Sequence, residues 1–565
     1  MRPNAINLLL VLLSGFDLSE CFPGHHDVSP PSVRLSNGTY VGVRNEEYAQ
    51  DFFLGIPYAQ PPIGSLRYAA PQPLNSSFEE TRNATEYGWM CIGYGSDTAN
   101  LGNPVSEDCL TINIVRPAGT KPGDDLPVGI WVHGGSYVNG GSRDPRYNLS
   151  YIVEQSVKEN KPIIAASINY RLSYWGFLFS QELQDVGAGN IGFRDQRLAL
   201  RWLQENISPF GGSPDKVTIW GESAGARSLG MQLIAYDGQH DNLFRSAILE
   251  SGSSVAKFVG ADAWQPYFEA LLAKTGCADA SDRLGCVRAL PWQTLNAIFN
   301  GTNPLSVTAP TISAVIDGDF ISDKATTLLA EGKFAPVPLL LGNNFDEGTG
   351  YAKQGINTTE QFESWLASSL LVDSTQIAAL KELYPDDPAV GIPASYPDRP
   401  TGTAFGSQWK RVAAVAGDYQ QHSGRRLLAS SYSDAGIPVY SYRWNVYVNG
   451  LGPIYGATHF QEVAFVFNNV NGLGYATNPF EGKPQSYVQL ADKMSKMWVA
   501  FIHDTDPNQC NGWPWPWTKG LVWPQYTPDQ PLNLVFNANY SKLGYIERDD
   551  YRATEIAYIQ EHVYA

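Results

Sequence analysis

The chain has little of what marks several large protein classes. Charged residues make up only 17% of its 565 residues, with no internal repeat, low-complexity tract or long run of one charge sign. With 43% hydrophobic and 12% aromatic residues, such a chain buries a large core, which excludes disordered, collagen-like and coiled-coil architectures. Basic residues are outnumbered 39 to 56, for a net charge of −17, and a surface of that sign repels nucleic acid and anionic membranes. No apolar run reaches the roughly 18 residues that span a bilayer, so no stable membrane insertion is expected. The longest, residues 8–13, follows Arg2 and reads as the core of a secretory signal peptide over residues 1–20.

The six cysteines, Cys21, Cys91, Cys109, Cys277, Cys286 and Cys510, include no C-x-x-C pair. Neither a zinc site nor a thioredoxin-like redox centre is therefore expected, and structural disulfides are the default for an exported chain. Eight N-x-S/T sequons, at Asn37, Asn75, Asn83, Asn148, Asn206, Asn300, Asn357 and Asn539, agree with a secreted, extracellular glycoprotein.

At about 150 residues per domain the length suggests about four domains, but Gly and Pro are scattered as turn punctuation and mark no linker. What recurs is a short apolar run followed by a helical pattern, which points to a largely parallel sheet with helices on its faces. The clearest strands are residues 128–132 (VGIWV), 162–168 (PIIAASI), 217–220 (VTIW), 246–249 (SAIL), 337–341 (VPLLL) and 439–444 (VYSYRW). Residues 195–207 read as a crossover helix, with Leu198, Trp202 and Leu203 at helical spacing. Stretches 256–303 and 358–436 read as helical insertions that cap the sheet where its strands end, the place where ligands bind in open α/β folds.

The strand at 217–220 runs directly into Gly221-Glu222-Ser223-Ala224-Gly225 and then into a helical stretch. A G-x-S-x-G at a strand-to-helix turn is the arrangement that holds a serine hydroxyl above a sheet as a nucleophile. Upstream, the strand at 128–132 ends in His133-Gly134-Gly135-Ser136-Tyr137, where such folds place the backbone N–H donors for an oxyanion. A serine nucleophile needs a histidine base, and the histidine needs a carboxylate, in the order Ser, acid, His. Beyond the later strands stand His422, His459, His503 and His562. His422 lies in a polar helical pattern, His503 at the end of an apolar helical run and His562 in the tail, whereas His459 follows the last strong strand through a Gly-rich loop. For the acid, the loop after residues 337–341 offers Asp346 and Glu347 side by side, and pattern alone does not choose between them.

With these residues in view, the chain resembles the type B carboxylesterase family, the cholinesterase and microbial-lipase branch of the α/β-hydrolase fold. Phe210-Gly211-Gly212 followed by GESAG is similar to its serine signature, and residues 107–117 (EDCLTINIVRP) to its second signature. The resemblance implies one domain over residues 28–560, with a large, mostly parallel central sheet flanked by helices and helical insertions over the active site. It implies Ser223 as nucleophile, His459 as base and Glu347 as the orienting acid. It further implies oxyanion donors at Gly135, Ser136 and Ala224, supporting roles for Glu222 and Ser251, disulfides Cys91–Cys109 and Cys277–Cys286, and an Arg67–Glu107 ion pair. Ser136 stands where many relatives have glycine.

In that family the loop closed by the first disulfide carries a lid or a choline-site tryptophan. Here 17 residues lie between Cys91 and Cys109, with no tryptophan and no amphipathic stripe, although Trp89 stands just before them. The expectation is a secreted serine esterase acting on small, soluble short- to medium-chain esters, without metal or cofactor, with triacylglycerol or sterol-ester lipase as the alternative. A catalytically inactive adhesion protein of the same fold is the reading from another class, and the retention of serine, acid, histidine and oxyanion loop together argues against it.

Overall fold

The computed structural model describes residues 29–95, 102, 104–302, 304–400, 404–510 and 521–564. The expected signal peptide and Cys21 lie outside the described residues. Strands of the main sheet, in chain order, are β1 (Val43–Asn45), β2 (Gln50–Pro57), β3 (Thr111–Pro117), β4 (Leu126–Val132), β5 (Ile164–Ile168), β6 (Gly212–Glu222), β7 (Ser246–Glu250), β8 (Leu339–Asn344), β9 (Val439–Trp444), β10 (Leu532–Phe536) and β11 (Gly544–Arg548). Seven neighbours, β5-β4-β6-β7-β8-β9-β10, run parallel. Antiparallel strands close both edges, β3, β2 and β1 beside β5 and β11 beside β10.

The apolar runs seen in the sequence are continuous because both faces of the sheet are covered. Val128, Ile130 and Val132 of β4 join one core, with Val217 and Ile219 of β6 and Leu229 and Leu233 of the helix that follows it. Trp131 and Trp220 point to the opposite face, where they pack with Met494 and Trp498. Helices α1 (Leu149–Lys158) and, later in the chain, Gln485–Asp504 cover that second face. Helices α2 (Ile191–Asn206) and α3 (Ala224–Gly238) cover the first, and α2 is the crossover helix expected from residues 195–207, begun one turn earlier.

The stretch 256–303 forms three helices, Ala261–Thr275, Arg283–Ala289 and Trp292–Phe299, as expected of an insertion. The second stretch needs a correction. Its last helix, α4 (Ser423–Asp434), is no insertion but packs on β8 and β9. These two strands are parallel neighbours, and a parallel pair needs a helix-bearing crossover to bring the chain back. The disulfides Cys91–Cys109 and Cys277–Cys286 are formed, and Cys510 has no disulfide partner among the described residues. Arg67 grips Glu107 with two hydrogen bonds, Nε to Oε1 at 2.6 Å and Nη2 to Oε2 at 2.8 Å.

The sequons differ in exposure. Asn75, Asn83, Asn300, Asn357 and Asn539 are exposed, and Asn37 and Asn148 are half-buried. Asn206 is only 5% exposed. It sits in the last turn of α2, where its amide donates to the Trp202 carbonyl at 2.9 Å. Asn206 is thus the one sequon whose asparagine is buried and whose amide is engaged within its own helix.

One buried ion pair ties α4 beneath the acid-bearing strand. Arg425 donates from Nη1 and Nη2 to Asp549 at 2.7 Å each, and its Nε reaches Asn343 of β8 at 3.2 Å. Burial works against the Asp549 charge, but Arg425 and Arg426 outweigh it and hold the carboxyl well below the usual range. Removing one charge of such a pair leaves the other uncompensated. Asp549→Asn is expected to lower the unfolding free energy at neutral pH by about 3–5 kcal/mol, measured by urea denaturation.

Candidate active site

The site is built where β6 turns into α3. Ser223 occupies that turn with φ 55° and ψ −123°, a left-handed conformation that costs a non-glycine residue energy and is held only by its surroundings. The flanking glycines show what holds it. A Cβ on Gly225 would stand 2.0 Å from the Val132 carbonyl oxygen, and one on Gly221 2.7 Å from the same atom. Only glycine lets the turn fold back over the end of β4.

Opposite the serine, His459 and Glu347 complete a relay. Glu347 is buried in a short helical turn directly after β8, and His459 follows β9 through the loop read from the sequence. His459 Nδ1 stands 2.6 Å from Glu347 Oε2, and Nε2 stands 2.8 Å from Ser223 Oγ. An ionised carboxylate only accepts, so Nδ1 carries the ring proton and Nε2 is free to accept from the serine hydroxyl. The other carboxylate oxygen, Oε1, accepts from Ser251 Oγ at 2.5 Å and from the Asn344 backbone N–H at 2.8 Å. Asp346 turns elsewhere, accepting the Ala457 backbone N–H at 2.8 Å.

The loop after β4 rides on the serine turn. A Cβ on Gly134 would lie 2.8 Å from the Glu222 carbonyl oxygen and 3.0 Å from Ser223 Cβ. Gly135, Ser136 and Tyr137 all have positive φ, 101°, 55° and 62°, and the Gly135 carbonyl accepts from the N–H groups of Val138 and Asn139. This curl leaves the N–H groups of Gly135 and Ser136 without a backbone acceptor among the described residues. Ala224, as the first residue of α3, has an N–H with no acceptor inside the helix. The three donors that the resemblance names are therefore unspent beside the serine. The Ser136 side chain is exposed and leaves them uncovered.

Beneath the relay lie three more buried glutamates. Glu222 Oε1 is 3.2 Å from His459 Nε2, without hydrogen-bond geometry. Burial, reinforced by Glu462, Glu347 and Glu250, pushes its carboxyl well above the usual range and favours the protonated form. Glu250 accepts from the indoles of Trp220 at 2.5 Å and Trp498 at 2.7 Å, and burial drives it upward as well. Glu462 accepts from Asn344 Nδ2 at 2.5 Å and lies 3.4 Å from Ser251 Oγ. Glu250, Glu462 and Asn344 escape the sequence analysis. Nothing in the sequence pattern singles out Glu250 or Glu462, and toward Glu347 Asn344 acts through its backbone N–H.

The remaining histidines stand apart. His422 is buried beside Tyr551, and burial together with Arg443, Arg425 and Arg426 holds it well below its usual value, so it is neutral. His503 lies in the last turn of Gln485–Asp504 and contacts Asp504, and His562 lies in the terminal helical turn. Trp89 is 55% exposed and lines an outer cleft with Tyr87 and Arg143 that includes none of the relay residues. Of the loop after Cys91, residues 96–101 and 103 lie outside the described residues.

The profile of the "Carboxylesterase family" matches residues 29–554. The chain belongs to the carboxylesterase family. Among similar proteins, "Lipase 4" of Diutina rugosa is 33% identical over 92% of this chain and 94% of its own length. "Secreted lipase 1" of Botryotinia fuckeliana is 32% identical over 95% and 94%. The crystal structure of Aspergillus niger EstA superposes with a TM-score of 0.78 at 26% identity, covering 94% of this chain and 97% of that one. The fold is the α/β-hydrolase fold, and this carboxylesterase is a carboxylic-ester hydrolase.

The glutamate layer has a pH consequence. Burial first, and then the charge of Glu347, push Glu462 up to about 7, with His459 opposing. The native state then keeps a proton that the unfolded chain releases near pH 4.3, so this group's contribution to stability falls as pH rises from about 4 through about 7. Unfolding by urea at pH 5 and pH 7.5 is expected to show that loss in the wild type and a smaller one in Glu462→Gln.

Proposed function

We propose that this carboxylesterase is a secreted serine esterase, organised as one domain over residues 28–560, in which Ser223, His459 and Glu347 carry out acyl transfer. The observation that supports it is the unbroken relay from Ser223 Oγ to His459 Nε2 at 2.8 Å and from Nδ1 to Glu347 at 2.6 Å. Ser223 attacks the ester carbonyl as His459 takes its proton, and the imidazolium, steadied by Glu347, returns that proton to the departing alcohol. Water repeats the two steps on the acyl-enzyme and frees the acid. The negative charge on the tetrahedral oxygen falls to the N–H groups of Gly135, Ser136 and Ala224, each such donor being worth about 2.7–4 kcal/mol of barrier.

Secretion is supported by the two disulfides and by a relative whose name describes it as secreted. For substrate, we favour soluble short- to medium-chain esters, on the shortness and composition of the loop between Cys91 and Cys109 and on the net charge of −17. A triacylglycerol lipase is the second reading, favoured by the names of the relatives "Lipase 4" and "Secreted lipase 1".

Ser223→Ala is expected to lower kcat for a soluble aryl acetate by about 10⁴-fold or more; a near wild-type rate would end the assignment. Across aryl esters of increasing acyl length, with and without an emulsion, activity is expected to peak at short to medium chains and to ignore the interface. A rate jump on long chains at the interface would make the enzyme a lipase.

A further inference from the structure

Arg227 stands one turn into α3, four residues after Ser223. On a helix, side chains lean toward the N-terminus and cover the turn before their own Cα, so Arg227 leans back toward the serine turn. Its hydrogen bonds among the described residues go to one residue, Gln420, from Nη2 to the backbone oxygen at 2.5 Å and to Oε1 at 2.7 Å. No carboxylate among the described residues lies within 4 Å of it. Its Nε and Nη1 are unlike the spare donors of Arg197 and Arg443. Those are sealed inside protein and belong to guanidiniums already paired with Asp241 and Glu547, whereas Arg227 is half-buried and its Nε and Nη1 are not among the fully buried donors.

Two further contacts relate Arg227 to the relay. Gln421, next to the residue Arg227 grips, donates to Tyr351 Oη at 2.9 Å, and the Tyr351 ring lies 4.8 Å from the His459 ring. Burial raises the phenols of Tyr137, Tyr351, Tyr419 and Tyr564, and the field of Arg227 opposes that rise at all four. Tyr137 adjoins the oxyanion donor Ser136, and Tyr351 adjoins the base. The cation is thus carried on the helix that starts at Ser223, held by Gln420, the neighbour of the Gln421 that bonds Tyr351 beside His459.

We propose that Arg227 is a specificity residue that selects esters carrying a carboxylate a short distance from the scissile carbonyl, such as half-esters of short dicarboxylic acids. The inference rests on the ester-hydrolase reading above. A guanidinium with two spare donors pairs well with a carboxylate, and an apolar acyl group in its place would strip water from the cation without compensation.

The test compares p-nitrophenyl hydrogen glutarate with the neutral p-nitrophenyl pentanoate, placing the carboxylate on the acid part. A second pair, m-carboxyphenyl pentanoate and phenyl pentanoate, places it on the alcohol part. In the wild type, kcat/KM is expected to favour the anionic member of at least one pair, less so at high salt. Arg227→Met is expected to lower that ratio by about 10–100-fold, and Arg227→Lys to restore part of it. Each ratio is internal to one protein, so a general loss from the broken Gln420 contact cancels. Neutral esters hydrolysed with ratios unchanged in Arg227→Met for both pairs would overturn the assignment of Arg227 alone. No hydrolysis of any of the four esters by the wild type would overturn the esterase reading with it.

Discussion

The contact between the turn after β6 and the carbonyl end of β4 is the constraint on which the site depends. Two parallel strands lie side by side, and the chain leaving one must pass within backbone contact of the other. Glycine at 221 and 225 makes that approach possible. The same contact sets Ser223 in its left-handed conformation and brings the curl at residues 134–137 against it. Ser223 and the N–H groups of Gly135, Ser136 and Ala224 are therefore positioned by one packing event, before His459 and Glu347 are considered. His459 and Glu347 arrive from β9 and β8, farther along the same parallel array, so the register of the sheet sets how the relay spans it.

Electrostatically, the site is a sealed pool of carboxylates with one member committed to the histidine. Glu347 has two donors on one oxygen and the imidazole on the other, and hydrogen bonds of that kind stabilise its charge. Glu222, Glu250 and Glu462 are also buried, and for each of them burial outweighs whatever donors it has and pushes it toward its neutral form. Burial and mutual repulsion both push these three toward the neutral form. The environment that excludes water from the relay also determines where the protons rest.

The parts of this arrangement that show in the sequence are those with a local period or a local steric need. Apolar runs reveal parallel strands because both faces are buried, and GESAG shows itself because a turn with two backbone collisions admits only glycine. His459 is legible through its place after the last strong strand. The choice between Asp346 and Glu347 is not, because both are buried and they differ only in which way a tight turn aims them. Glu462 and Glu250 leave no mark, since a glutamate in a core reads like any surface acid until its neighbours are known. Asn206 shows the opposite limit. Its motif is read over three residues, whereas its burial is decided by a helix docking on a sheet, and the last helix of 358–436 is likewise identified as a crossover only by the strand it returns to.

The Arg425–Asp549 pair bears on when this enzyme can first become active. Asp549 lies 326 positions after Ser223 along the chain, and it neutralises the guanidinium that seats α4 under β8 and β9. While the protein is being synthesised, the serine turn and oxyanion loop emerge early, but the strands bearing the acid and the histidine rest on an unpaired buried cation until residue 549 has left the ribosome. Nascent chains thus pass through most of translation with Ser223 already made and its contacts to His459 and Glu347 still unsupported from below.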